Sequence, residues 1–222
     1  MKILKYTTAL MIMAATLTGC ASSKKAANKS RYEYIPEHLT AFQPFTYIDY
    51  IESGNMGYYS DSLTAIANEV NMEIFSKRLP GIYIDSIIPL FQEEFDALEK
   101  PVLEVCNSER ATQMIQVPKP ILEFMESMEL DEAAFIVESG FDRSRKNYVL
   151  KMVGSIGLAV ATTLLTAGTA TMYTTPAMSN DTYTIFIVDR IHRVVKYRKT
   201  VSRESNPTDY NASAKILTNL FK

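Results

Sequence analysis

Along this chain the apolar positions change period several times, and each change marks an element. Residues 45–51, Phe-Thr-Tyr-Ile-Asp-Tyr-Ile, alternate between large apolar or aromatic and polar side chains, which predicts a strand. Gly54 and Gly57 then mark a loop, with Ser60 or Asp61 placed to cap a helix. Leu63, Ile66, Ala67, Val70 and Ile74 recur at helical spacing and give that helix one buried stripe. Glu73 and Lys77 form an i,i+4 pair in the favourable order, and Pro80-Gly81 ends the element. A second strand is expected over 82–88. Pro89 then opens a short helix with Phe91, Phe95 and Leu98 on one side, stopping before Pro101. No period dominates 102–117. A helix over 120–130 is expected to bury Ile121, Met125 and Met128, and the run 133–139 reads as an apolar strand. Two further strands fall at 182–189 and 193–201. Asn206-Pro207 opens a last helix with Tyr210, Ala214, Leu217 and Phe221 along one face.

This order, βα, βα, a run of strands and then α, predicts an α/β fold: a mixed β-sheet of about five strands with helices packed on it. One domain is expected over 45–222, carrying an apolar insertion at about 143–181 before the last two strands. Within the insertion, residues 152–180 contain no Asp, Glu, Lys or Arg. Three readings compete there: a packed insertion, a membrane hairpin of a multichain pore, and a single transmembrane helix. Period-two placement of Ile156, Leu158, Val160 and Leu164 suits the hairpin. The packed insertion is preferred because Thr162, Thr163, Thr166, Thr169 and Thr171 dilute the hydrophobicity.

The amino terminus carries a different kind of pattern. Lys2 and Lys5 precede an apolar run at 9–17, followed by small and polar residues, which is the layout of a secretory signal. Its end, Leu17-Thr18-Gly19-Cys20, resembles the lipobox of bacterial lipoproteins processed by type II signal peptidase. The resemblance implies removal of residues 1–19 and a thioether-linked diacylglycerol on Cys20. Residues 20–44 then form a flexible tether, since 21–31 hold Ser, Lys, Ala and Asn but no large apolar side chain. Ala21-Ser22, with no aspartate after the cysteine, implies the outer-membrane route and the periplasmic face. The element order resembles small periplasmic α/β domains of envelope lipoproteins: the curli-secretion pore lipoprotein, activators of penicillin-binding proteins and the amino-terminal domain of the Tol-system propeller protein. The helical segment near Phe91 and the long stretch before Thr182 depart from that plan.

Charge and composition narrow the partners. The chain has 23 basic and 25 acidic residues, and removing Lys2 and Lys5 makes the balance more acidic, so no nucleic-acid role is expected. Once Cys20 carries lipid, Cys106 is the one remaining thiol and no intrachain disulfide can form. His38 and His192 are the only histidines, which excludes a multi-histidine metal site. The acidic clusters Glu93-Glu94-Asp96 and Glu129-Asp131-Glu132 read as solvated helix faces or ends. No CxxC, HExxH, GxSxG or phosphate-binding glycine loop occurs, so no catalytic residue is assigned and no cofactor is expected.

The clearest constellation is basic: Arg190, His192, Arg193, Lys196, Arg198, Lys199 and Arg203. Strand alternation puts His192, Lys196 and Arg198 on one face, with Arg193 and Lys199 on the other. The bland reading is an edge hairpin protected by charge, and the functional one is a patch for an anionic glycan, lipid or protein. Arg143, Arg145 and Lys146 would enlarge the patch if they abut it. The loop 54–60, with Met56, Tyr58 and Tyr59, is a second candidate for partner capture. The expected function is a lipid-anchored, non-catalytic envelope protein whose domain binds another envelope component as scaffold or accessory subunit, with self-association left open. A secretion-pore subunit and an enzyme acting on envelope polymers are the alternatives.

Overall fold

The computed structural model describes residues 39–152 and 176–221. Its centre is the hairpin of β5 (Glu132–Arg143) and β6 (Ser179–Asp189), antiparallel from Glu132↔Asp189 to Asp142↔Ser179. β7 (Val194–Arg203) continues the antiparallel order beyond β6. The other edge of β5 is shared by two successive strands, both parallel to it. β1 (Leu39–Phe42) meets it at Ala134, and β2 (Phe45–Ile51) runs beside Val137 to Arg143. From there the edge forks: β4 (Ile84–Ile88) pairs parallel with β1, and the short β3 (Tyr58–Tyr59) pairs antiparallel with β2. The fold is therefore α/β with a mixed sheet, as its pattern implied. It has seven strands among the described residues, where about five were expected.

Helices cover both faces. α1 (Asp61–Ser76) and α4 (Tyr210–Leu220) pack Ile74, Phe75, Ile216, Leu217 and Leu220 against Ala134, Ile136, Ile185 and Ile187. α2 (Gln92–Cys106) and α3 (Lys119–Ser127) pack Leu98, Val102, Val105, Ile121 and Met125 against Ala133, Phe135, Val137, Phe186 and Val188. A strand covered on both sides needs apolar residues at every position, which is why 133–137 reads as an unbroken run. Each fully buried Ile, Leu or Phe contributes about 1.5–3 kcal/mol. Phe135 stacks on Phe186 across the hairpin, with ring centroids 5.2 Å apart, so the two central strands are locked in register.

Several boundaries moved. The sheet begins at Leu39, inside the segment read as tether, because Leu39, Ala41 and Phe42 are buried in it. α2 does not stop before Pro101 but runs through it to Cys106. Proline removes one main-chain donor, yet Leu98, Val102 and Val105 all bury on the same side, and that packing holds the next turn. α3 ends at Ser127, leaving Met128 as its half-buried C-cap. α4 starts at Tyr210 because Asp209 caps it, accepting from Asn211 N and Ala212 N at 2.9 and 3.1 Å. Asn206 instead closes a turn by accepting from Thr208 N. The strand expected over 133–139 runs on to Arg143, and Gly140 lies inside β5 opposite Asp181. A Cβ there would overlap the main-chain oxygen of Asn180, so the two strands approach more closely than any other residue allows.

Of the insertion, residues 144–152 and 176–178 are described and 145–152 are helical; the readings of the uncharged stretch fall on 153–175, outside the described residues. Cys20, His38 and the tether before Leu39 lie outside them as well. No described helix is long and apolar enough to cross a membrane.

Candidate functional site

Most of the basic cluster is occupied by the fold itself. The guanidinium of Arg198 donates to the main-chain oxygens of Val105, Ser108 and Arg110, at 3.2, 2.5 and 3.0 Å, binding the carbonyl end of α2 and the turn after it. A cation suits that position because the last carbonyls of a helix carry partial negative charge. Lys196 pairs with Glu132 and, at 2.6 Å, with Asp189. Arg190 donates to Leu130 O at 2.8 Å and to Asp131 Oδ1 at 2.6 Å. Asp189 organises the β6–β7 turn: its Oδ1 accepts from His192 N at 2.8 Å, and its Oδ2 lies 2.8 Å from His192 Nδ1. Burial on its own would push Asp189 up, but hydrogen bonds from Lys196 and His192 outweigh it and hold the carboxyl down at about 2.

Three corrections to the basic-patch reading follow. Arg190, Lys196 and Arg198 fasten β7 to α2 and to the β5–β6 end of the sheet and are not a free anion platform. Arg198 takes the α2 side, but β7 is irregular at Lys196, which the register skips between Val188↔Val195 and Ile187↔Tyr197, so simple alternation does not carry Lys196 to the same face; His192 and Arg193 belong to the turn before β7. Arg143 sits at the opposite end of β5 from Glu132, donating to Gly54 O and Ala177 O, so it does not abut Arg190. Lys199 lies opposite Ile185, on the α1–α4 side. Arg193 is exposed, has a φ of 58°, and makes no ion pair among the described residues.

Arg193 opens onto a cleft of about 790 Å³ between α3 and the β6–β7 turn. Arg190, Lys119, Glu123, Glu126, Leu122 and Ile191 also line it. Ile191 is 60% exposed on its rim. Lys119 is engaged by Glu123 at 2.6 Å, so among the described residues lining the cleft Arg193 is the cation without an ion pair. At the other sheet edge, Tyr58 and Tyr59 are not loop residues but form β3, opposite Tyr50 and Asp49. Tyr58 and Tyr59 are more than half exposed, with Met56 beside them.

A second groove, of about 330 Å³, lies where the sheet edge forks, between β2, α1 and the start of α2. Tyr59 stands at its lip, Phe95 backs it and Thr46, Asp61, Asn68 and Gln92 contribute to its walls.

A buried polar cluster went unnoticed in the sequence. Glu138 and Asp181 are both fully buried on the α1–α4 side of the sheet. Asn71 Nδ2 donates to Glu138 Oε2 at 2.6 Å, and Tyr183 OH donates to Asn71 Oδ1 at 2.7 Å. Ser213 Oγ reaches Asp181 Oδ2 at 3.4 Å. Glu138 Oε1 and Asp181 Oδ1 have no hydrogen-bond partner. Burial pushes both carboxyls well above the usual carboxylate range, and the charge of Glu138 pushes Asp181 further. Partners drawn from Asn, Tyr and Ser supply no cation, so the pair keeps a proton near neutrality. The signal was present: Glu138 interrupts an apolar strand at the parity of Ala134 and Ile136, which face the core.

No known family profile matches the chain, and no curated protein does. Among solved structures, a dodecamer of a PelC point variant from Paraburkholderia phytofirmans is 8% identical, covering 84% of this chain and 88% of that one with a TM-score of 0.31. A likeness that slight carries no argument about function.

Proposed function

We propose that this chain is a lipid-anchored protein of the bacterial outer membrane whose α/β domain binds another envelope component as a scaffold or accessory subunit. The observation that carries this reading is Leu17-Thr18-Gly19-Cys20 directly after a basic and apolar leader. A diacylglycerol on Cys20 with a further acyl chain holds firmly, since each buried methylene contributes about 0.8 kcal/mol and a single chain is only marginal. The domain then needs a surface for its partner. The Arg193 cleft supports that role, combining an unpaired guanidinium with the exposed Ile191 and apolar Leu122.

In its host, Cys20→Ala is expected to abolish fatty-acid incorporation and release the protein from membrane fractions. A variant that still incorporates fatty acid overturns the anchor. Photo-cross-linking from position 193 in intact cells is expected to trap one dominant envelope component, and an unchanged pattern in Ile191→Asp would show that the cleft is not the contact.

A further inference from the structure

We infer that the end of the sheet formed by residues 50–58 and the helical residues 145–152 is a docking surface for a bilayer with anionic headgroups. This goes beyond the anchored-scaffold reading and does not depend on lipid at Cys20. The outward stripe of the helical segment is Arg145, Lys146, Val149 and Leu150, all exposed, with Leu150 at 64%. Arg145 and Val149 are four residues apart, as are Lys146 and Leu150, so each cation stands one turn before an aliphatic side chain on the same face. The other side of the segment is fastened down. Asn147 is buried and donates to Gly54 O at 3.1 Å. Ser144 donates to Glu52 O through its hydroxyl, at 2.9 Å, and to Ile51 O through its main chain. These bonds join the segment to the loop that carries Met56, 70% exposed, and leads into Tyr58, the register partner of Tyr50.

Charge selects the occupant. Arg145, Lys146 and Lys151 make no ion pair among the described residues. Burial and the nearby Arg143 guanidinium push the Lys151 ammonium down, the mark of cations gathered at this end. Glu52 is the exposed acid of the joined loop. Acidic residues outnumber basic ones in the whole chain, but charges beyond about 8–10 Å are screened at physiological salt, so the local cations decide. Residues 152–180 hold no Asp or Glu, so the next stretch of chain brings no repelling charge. An anionic bilayer attracts such cations and takes aliphatic and tyrosine side chains into its interface. Neither cleft described above is lined by these residues, and a bilayer needs no preformed concavity. The tether permits the contact. Leu39 enters the sheet near the Glu132 end of β5, and this surface lies past the Arg143 end, about 40 Å along the strand. Residues 20–38 span up to about 60 Å when extended, so lipid on Cys20 and this surface can meet one bilayer.

The test is sedimentation with vesicles, using residues 34–222, which hold every described element and both sides of the core. Vesicles of phosphatidylethanolamine with phosphatidylglycerol are expected to carry the domain down, and vesicles of phosphatidylcholine alone to carry much less. Arg145→Ser/Lys146→Ser should weaken binding to the anionic vesicles about thirtyfold, the loss of two cations near the surface. Leu150→Asp should weaken it about tenfold. Lys100→Ser/Lys215→Ser removes the same charge from exposed positions on α2 and α4 and should leave binding unchanged. Every altered side chain is exposed, so the core stays intact, and thermal melts of each variant check the fold. Failure of the native domain to sediment overturns the proposal, as does equal binding to both kinds of vesicle. So does binding undiminished in Arg145→Ser/Lys146→Ser and Leu150→Asp, or lost equally in Lys100→Ser/Lys215→Ser. Self-association in solution that Leu150→Asp abolishes, without vesicle binding, would make this face a contact between copies and overturn it too. Because residues 34–222 lack Cys20, the outcome is independent of the Cys20→Ala result.

Discussion

Glu138 and Tyr183 face each other as register partners on β5 and β6, and Asn71 of α1 joins them, donating to the carboxyl and accepting from the phenol. One amide thus satisfies two buried polar groups from opposite strands and ties the helix to the sheet. Asn71→Leu keeps the shape but leaves both groups unpaired. A loss of about 2–4 kcal/mol is expected in denaturant unfolding, larger than for Ile66→Ala on the exposed side of the same helix.

The paired carboxyls make stability depend on pH in a stated direction. Their native values are raised above those of an unfolded chain, so the native state holds protons the unfolded state has released. Their stabilising contribution is complete at acid pH, starts to fall above about pH 4, and is lost as pH rises through the raised native values. The surroundings of the pair are Tyr183 on β6, Asn71 on α1, Ser213 on α4 and Thr46 on β2, with the exposed Arg203 across from Asp181 on β7. Glu138→Gln should flatten the decline between pH 5 and pH 9 (roughly the span over which the pair ionises), measured by thermal melts. An unchanged slope would show that Glu138 does not carry the proton.

Gly140→Ala forces a methyl into the main chain of Asn180. Backbone on both sides cannot yield as a side chain would, so the β5–β6 register must shift locally. A loss of about 2–3 kcal/mol is expected, as for overpacking elsewhere. Gly54→Ala meets open space, and its cost is confined to a positive φ of 62° at about 1 kcal/mol.

Arg198 and Lys199 are neighbours in sequence with opposite duties. Arg198→Met removes the guanidinium donors from the carbonyls of Val105, Ser108 and Arg110 and should cost about 1–2 kcal/mol. Lys199→Met should stay within about 0.5 kcal/mol. Equal effects of the two would mean that Arg198 does not hold the end of α2.

Elements with a single dominant period were legible from residues alone. The stripe from Leu63 to Ile74 became α1, though its buried face runs through Ala67, Asn71, Ile74 and Phe75 and leaves Ile66 exposed, and the alternation at 45–51 became β2, because burial on one face imposes the period. The segment 102–117 was not legible: its first part continues α2, and the rest is a single turn of 3-10 helix at Thr112–Met114 and a bridge from Gln116 to Val194, held by contacts distant in sequence. The charges misled for a related reason. A run of Arg and Lys looks alike whether it faces solvent or meets carbonyls folded against it.

The amino-acid order by itself determined the α/β class, the alternation of buried and exposed positions, and the cysteine placement on which the anchor proposal rests. These are local or periodic properties, set by side-chain volume, polarity and spacing. Tertiary structure alone decided that β1 and β2 share one edge of β5, that Arg198 closes a helix about ninety residues earlier in the chain, and that Glu138 and Asp181 meet in the core. Such pairings depend on which strands lie side by side, a choice made by the packing of whole surfaces and written in no single stretch of the chain.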